Sequence, residues 1–429
     1  MIEIKDWKQH YKARTITKQE AIGMIQPSSS IYLAAYCNEP QTFVEEMVNQ
    51  RERLLGSTLY INVVGSKLQA VKDDILPFFR IRSFLNAPWL AQAWRNGDCD
   101  YIPVNVSELP KLLSQMRIDI ALIQVSPPDD QGNCCLGISV DSVKAAVRQA
   151  SIVIAEVNEQ VPITYGDTMI TVQNIDYFVS TSRSLLTIPL GDTSEIEKKI
   201  GENVADLIPD GATIQWGIGS IPNSVITSLV HKKELGVHSG SISDSVIDLV
   251  EKGIITNSHK TVLPNKIVCT TLIGTKELYR YANQNPNIEL YPANFTHSSS
   301  TLSKIDNFHS INSALEVDIT GQVNAEEINN RIIAGVGGQM DFIRGAQSSK
   351  GGKAIIALPS TTRDGKTSKI KTFVAPVTTL KSEVQYIVTE YGVASLFGKS
   401  LKERAKELIS ISHPDFRQEL EYQMKKHLL

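Results

Sequence analysis

The chain has 429 residues, 42% of them hydrophobic and 21% charged, with a formal net charge of −3. That length holds two or three domains with substantial cores, and no basic stripe of the kind a nucleic-acid binder carries is present. The opening "MIEIKDWKQHYKART" has no apolar core of signal-peptide length, no apolar run is long enough to span a membrane, and the five cysteines show neither a disulfide framework nor metal-ligand spacing. A cytoplasmic, reduced protein without a metal is expected.

Short apolar runs alternate with helical patterns along the chain: "SIYLAAY", "TLYINVVG", "IDIALIQV", "ASIVIAEV", "ATIQWGIG", "KIVCTTLIG" and "AIIALPS". Each is rich in β-branched residues and too short for a stable helix. Several are apolar at consecutive positions, as strands covered on both faces must be. The pattern predicts an α/β fold of parallel sheets with packed helices. It also repeats. Ile25–Val48 lies over Leu207–Val230 without a gap, matching Pro27 with Pro209, Pro40 with Pro222, Val44 with Ile226, Met47 with Leu229 and Val48 with Val230. Both copies read turn, strand, small-residue loop, proline near a helix start, amphipathic helix. Two similar open α/β domains follow, residues 1–192 and 193–429, joined near Leu190–Val204.

Several segments could carry chemistry. The first-copy loop "AAYCNEP" holds Cys37 and Glu39; a buried thiol and a helix-dipole partner are their ordinary roles. In "QVSPPDDQGNCCLGISVDSV", Asp129 and Asp130 could pair as carboxylates but fit a rigid turn better, and Cys134 and Cys135 suit burial. The second-copy loop "WGIGSIPNS" sets Gly217 and Gly219 before a helix start whose N–H groups could meet an anion, although a tight turn needs the same residues. Further on, "LGVHSGSISDSVIDLVEKG" is strand-like to His238, turns small and polar, then places Val246, Ile247, Leu249 and Val250 on one helix side. The glycine-rich "AGVGGQMDFIRGAQSSKGGK", with Arg344, Lys350 and Lys353, is read as an ordered loop able to cradle phosphate; it lacks Walker spacing. "HPDF" reads as a helix start.

These pieces together resemble the acetyl-CoA hydrolase/CoA-transferase family, the group of the 4-hydroxybutyrate and butyryl-CoA:acetate CoA-transferases. The matching text runs from about Glu39 to near the C-terminus: "CNEP", "DYIPV", "SELP", "IDIALIQVSPPDDQG", "LGISVD", "IPDGATIQWGIGSIPNSV", "LGVH", "LVEKGIITN", "INSALEVDITGQV", "GVGGQMDFIRGA", "IALPSTTRDGKTS", "VTEYGVASL" and "HPDFRQEL". The resemblance implies two similar α/β domains with the active site between them, and a homodimer or a heteromer with a related subunit. The substrates it implies are an acyl-CoA and a small carboxylic acid or other acyl acceptor. It implies ping-pong chemistry. A glutamate attacks the thioester to give a mixed anhydride, then CoA thiolate attacks the glutamyl carbonyl to give a glutamyl-CoA thioester. It also carries coenzyme A contacts onto Gly217, Ile218, Gly219, Ser220, Ile221, Leu315, Gly338 and Arg363. The family more often has Ile at the Leu315 position and Lys at the Arg363 position.

One departure changes the expected chemistry. The family reads like His-Thr-Glu-Met where this chain reads His238, Ser239, Gly240, Ser241, so the nucleophile's position is Gly240. Losing a covalent nucleophile costs several orders of magnitude in rate. "AAYC" replaces the family's Gly-His loop, and "SFLNAPWLAQAW" (Ser83–Trp94) replaces a Phe-Phe-x-Gly region; both would alter the acyl pocket. The expectation is a CoA-thioester enzyme repurposed for decarboxylation, hydrolysis or acyl transfer, with Cys37, Glu39, Ser239 and Ser241 as replacement groups and Gly240→Glu restoring some CoA exchange. A transferase using a carboxylate from elsewhere, or from a partner subunit, and a non-catalytic CoA-ester-binding subunit are the alternatives.

Overall fold

The computed structural model describes residues 7–62, 67–85, 87–189 and 191–428. Val63, Val64 and Gly65 of the second apolar run, and Asn86 of the Ser83–Trp94 segment, lie outside the described residues. Two compact units form: Met1–Pro189 with Cys269–Phe295, and Leu190–Val268 with Thr296–Leu429.

The first unit is built on a sheet of seven strands among the described residues: β1 (Ser30–Leu33), β2 (Ser57–Asn62), β3 (Phe79–Leu85), β4 (Cys99–Tyr101), β5 (Ile120–Val125), β6 (Ile152–Asn158) and β7 (Tyr177–Thr181), ordered β7-β6-β5-β1-β2-β3-β4. Every neighbouring pair is parallel. All of β5 is buried; a strand covered on both faces reads as an apolar run and not an alternation. The second unit carries β8 (Thr213–Trp216), β9 (Gly236–Val237), β10 (Phe308–Ser313), β11 (Lys353–Ala357), β12 (Tyr386–Thr389) and β13 (Gly392–Ser395), ordered β9-β8-β10-β11-β12-β13. Only the β12–β13 pair is antiparallel.

The repeat seen in the sequence extends through both sheets. β2-β1-β5-β6-β7 in the first unit has the order and direction of β9-β8-β10-β11-β12 in the second. Each unit also has, just ahead of its first sheet strand, a helix stabilised by a capping box: Thr17 with Glu20 before α1 (Lys18–Gly23), and Ser194 with Glu197 before α3 (Glu195–Asp206). The prolines sit where their missing N–H is harmless: Pro40 precedes α2 (Gln41–Asn49), and Pro222 lies in the first turn of α4 (Ser220–Ser228). Phe43, Val44 and Met47 of α2, and Val225 and Ile226 of α4, are buried.

Two expectations need correction. A single cut at 192/193 gives the second domain everything that follows, yet Cys269–Phe295 belongs to the first unit. Backbone pairing holds it there. Val140 N–H donates to Thr270 O at 3.0 Å and Leu272 N–H to Ile138 O at 2.8 Å, and Ile288–Leu290 runs parallel to Tyr165–Gly166. The glycine-rich segment is also not a long loop. Gln339–Ser348 is a helix, α6 here because α5 is Ser245–Glu251. Gly345 lies on it because a Cβ would fall 2.6 Å from the Leu302 side chain, and a Cβ at Gly352 would meet Ala346 O at 2.1 Å. Close packing, not phosphate binding, accounts for these two glycines.

Candidate active site

In an open parallel sheet, strands deliver their following loops to the carboxyl edge, where ligands bind. In the second unit β8 ends at Trp216 and passes into Gly217; Gly219, at φ 123°, precedes α4. No side chain adopts that φ easily, so glycine is required. β9 ends next door, and Ser239 follows it, fully buried, with its hydroxyl donating to Trp216 O at 3.0 Å and its N–H to Val268 O at 2.9 Å. That hydroxyl ties two strand ends together. Ser241, partly buried, begins a two-residue strand. Leu315 follows β10 and donates its N–H to Asn324 O at 2.9 Å.

Gly240 stands at the same edge. A Cβ placed on it would lie 2.8 Å from His297 Nε2, 3.1 Å from Cε1 and 3.4 Å from Phe342. A Cβ on Gly338, the residue before α6, would lie 2.6 Å from His297 Cδ2 and 2.8 Å from Nε2. The two glycines thus flank one imidazole edge. The ring is 4% exposed, rests against Phe342 with centroids 4.4 Å apart, and has Nδ1 2.8 Å from Thr296 Oγ1. Burial holds His297 down to about 3, so it is neutral at physiological pH. A side chain at Gly240 has to displace this imidazole, an obstacle to the exchange expected of Gly240→Glu that no motif shows. Sequence reasoning missed His297: one histidine in "ANFTHSSS" gives no signal until the topology sets it between two glycines.

A second missed residue is Glu197. Ser220 donates its hydroxyl to one carboxylate oxygen; Ser194 donates its N–H at 2.7 Å and its hydroxyl at 2.8 Å to the other. Burial pushes this carboxyl up, but those bonds and the charge of Arg363 outweigh it and hold it below the ordinary carboxylate range. Ser220 and Arg363, two of the expected cofactor residues, therefore converge on Glu197. Lys369 belongs to the same neighbourhood. Burial pushes its ammonium down against the pull of Glu316, Glu390 and Glu197.

The first-unit candidates lie at the end of β1. Cys37 is fully buried in the turn Tyr36–Asn38. Glu39 is 2% exposed and accepts the Leu68 N–H at 3.2 Å. Asp129 Oδ1 accepts the N–H groups of Gln131 and Asn133 at 2.9 and 2.8 Å, which makes it a turn former. Cys134 and Cys135 are fully buried, and burial pushes the Cys134 thiol up to about 12. Asp141 was not singled out by the sequence. It is fully buried, takes 2.6 Å from Asn62 Nδ2, and has no hydrogen bond to Oδ1 among the described residues. Burial raises its carboxyl from the ordinary 3.8 to about 6. A raised folded value means that its contribution is fully present below pH 3.8 and is lost as pH rises through 6. Between pH 4.5 and 7.5, Asp141→Asn should therefore gain about 2 kcal/mol on wild type. Urea unfolding at both pH values checks this; an unchanged difference refutes it.

Comparison with known proteins now decides the family. The acetyl-CoA hydrolase/transferase N-terminal domain model matches residues 1–188, and the corresponding C-terminal domain model matches residues 274–424. The chain is 44% identical over 426 residues to the 4-hydroxybutyrate coenzyme A transferase of Clostridium kluyveri, covering 98% of this chain and 99% of that one. The chain belongs to the acetyl-CoA hydrolase/transferase family. Solved structures agree with that assignment. RipA from Yersinia pestis superposes with a TM-score of 0.93 at 31% identity, over 99% of this chain and 100% of that one. The 4-hydroxybutyrate CoA-transferase from Porphyromonas gingivalis does so with 0.82 at 35%, over 98% and 100%. As a member of this family the chain is an enzyme acting on acyl-CoA. No group of residues able to hold a metal ion occurs among the described residues, and no helix there is long and apolar enough to cross a membrane.

Proposed function

We propose that this family member binds an acyl-CoA and cleaves its thioester without a glutamyl-CoA intermediate, with water as the acceptor. The resemblance puts the family's nucleophile at Gly240, and one observation supports the reading: the space a side chain there would enter holds the His297 imidazole. Exchange between two acids requires a carboxylate that holds CoA while the first acid leaves and the second arrives. Hydrolysis requires no such carrier. Water oxygen bonds to the thioester carbon, the C–S bond breaks, and a proton from the water ends on the CoA thiolate. Decarboxylation or transfer to another acceptor would also avoid the carrier; water is the acceptor that needs no second site.

In this reading Gly217, Ile218, Gly219, Ser220, Ile221, Leu315, Gly338 and Arg363 hold coenzyme A. The N-terminus of α4 offers its free N–H groups to a phosphate. Glu197 draws on Ser220 and Arg363 at the same place, and an arriving phosphate must compete with that carboxylate.

Acetyl-CoA or butyryl-CoA incubated with the protein, followed by thiol titration and borohydride trapping, tests the reading. Release of CoA together with free acid, with no reduced residue found by peptide mass, supports it. A borohydride-reducible adduct on any glutamate or aspartate refutes it and assigns an ordinary transferase. CoA binding without turnover refutes it in favour of a non-catalytic binding subunit.

A further inference from the structure

We propose that His297 is a catalytic hydrogen-bond donor: its Nε2–H binds the carbonyl oxygen of the substrate thioester and stabilises the negative charge that develops there. This rests on the reading that the second unit's strand-end loops bind an acyl-CoA. It adds to that reading an electrophilic group that no motif in the chain announces.

Three features of the site converge on this role. First, neither neighbouring glycine puts a side chain on the imidazole edge. A Cβ at either Gly240 or Gly338 would lie 2.8 Å from Nε2, too close to fit without displacing the ring. Two separate segments thus lack side chains at the one atom. Second, the other nitrogen is occupied. Thr296 Oγ1 stands 2.8 Å from Nδ1, and a hydroxyl donating there fixes the proton on Nε2. The tautomer assignment is part of the proposal. Third, among the described residues Nε2 makes no hydrogen bond although the side chain is 4% exposed. Nε2 is not one of the fully buried atoms left without a partner, so it keeps access to solvent, and a substrate oxygen can take the place of water there.

The alternative role, general base toward water, is disfavoured by the same surroundings. A base works best when its pKa lies near the operating pH. Burial beside Phe342 keeps this ring neutral far below that range, which makes it a poor proton acceptor and a steady donor. Neutral imidazoles in that situation polarise carbonyl groups. Because the donor is fixed before substrate arrives, it needs no reorganisation during the reaction.

The test uses the dethia ketone analogue of acetyl-CoA, in which CH₂ replaces sulfur, labelled with ¹³C at the carbonyl and followed by infrared difference spectroscopy. In wild type the carbonyl stretch should fall below its value in water. His297→Ala should abolish that fall while calorimetry still shows binding of the analogue. His297→Gln, whose amide N–H can reach the same place, should retain part of it. Gly240→Ala, which leaves the histidine but covers Nε2, should abolish it too. With acetyl-CoA, His297→Ala should slow CoA release about 10²- to 10³-fold, and the wild-type rate should be flat from about pH 5.5 to 8. An undiminished fall in both His297→Ala and Gly240→Ala overturns the inference. So does an acid limb near neutrality that disappears in His297→Gln, which would make the histidine a base. Failure of wild type to bind the analogue overturns the acyl-CoA reading itself, a result calorimetry identifies separately.

Discussion

Gly240→Glu by itself yields no trapped glutamyl adduct and no CoA exchange, whereas Gly240→Glu combined with His297→Ala yields both. That is the expected result, and the reason is steric. The incoming Cβ meets His297 Nε2 at 2.8 Å and Phe342 at 3.4 Å. The imidazole cannot swing away cheaply, because Nδ1 sits 2.8 Å from Thr296 Oγ1 and the ring lies against Phe342. Forcing atoms into a packed interior costs about 1–3 kcal/mol, so the single variant should also unfold at lower urea than wild type. Removing the ring makes room for a carboxylate at the strand end. Borohydride reduction with peptide mass analysis, and exchange of label between acetyl-CoA and butyrate, read the outcome. A stable single variant that forms the adduct would show that the histidine yields freely, and the coupling between the two positions would be disproved.

The second large effect is acid sensitivity of the second unit. His238, His297 and His309 are all buried there, and burial holds them at about 3, 3 and 4 in place of 6.5. For His238 the nearby Lys260 ammonium adds to the effect; that ammonium donates to Val237 O at 2.7 Å and to Lys266 O. With folded values below the unfolded one, the unfolded chain takes up protons first. The stability these groups confer is therefore complete above about pH 6.5 and is lost progressively as pH falls toward the folded values. At pH 5 each costs about 2 kcal/mol. The sum is of the order of a whole domain's stability. Trp216 is 1% exposed, and the other tryptophans, at positions 7, 89 and 94, precede the second unit. Excited at the red edge and compared with a Trp216→Phe variant, it reports this unit alone. Its emission should shift to the red at a lower urea concentration at pH 5 than at pH 7.5. A midpoint independent of pH would mean that the three rings are hydrated and titrate normally.

The sequence carried the architecture well because strands covered on both faces leave a composition that cannot be mistaken. The β8–α4 unit and its counterpart β1–α2 were visible for the same reason: proline and a buried helix face recur at fixed separation. The paired capping boxes, "TKQE" and "SEIE", are equally legible. Other features could not be read locally. Gly345 and Gly352 look like loop glycines, but the surfaces that demand them, Leu302 and Ala346 O, arrive from other parts of the unit. Cys269–Phe295 has the composition of any βα stretch, and only its pairing with Ile138, Val140 and Tyr165–Gly166 assigns it to the first unit. His297 depends on Gly240, Gly338 and Phe342, all far away in sequence, so no spacing rule finds it; Glu197 is legible as a capping residue, but its bond from Ser220 is not.

The passage of Cys269–Phe295 back into the first unit bears on how the protein is made. A ribosome that has released residue 189 has not yet delivered a complete first unit; Ile288–Leu290, the neighbour of Tyr165–Gly166, emerges about a hundred residues later. A chain cut once near residue 190, between the two units, therefore leaves its N-terminal part without that strand. Assembly of the first half must wait for much of the second to be synthesised.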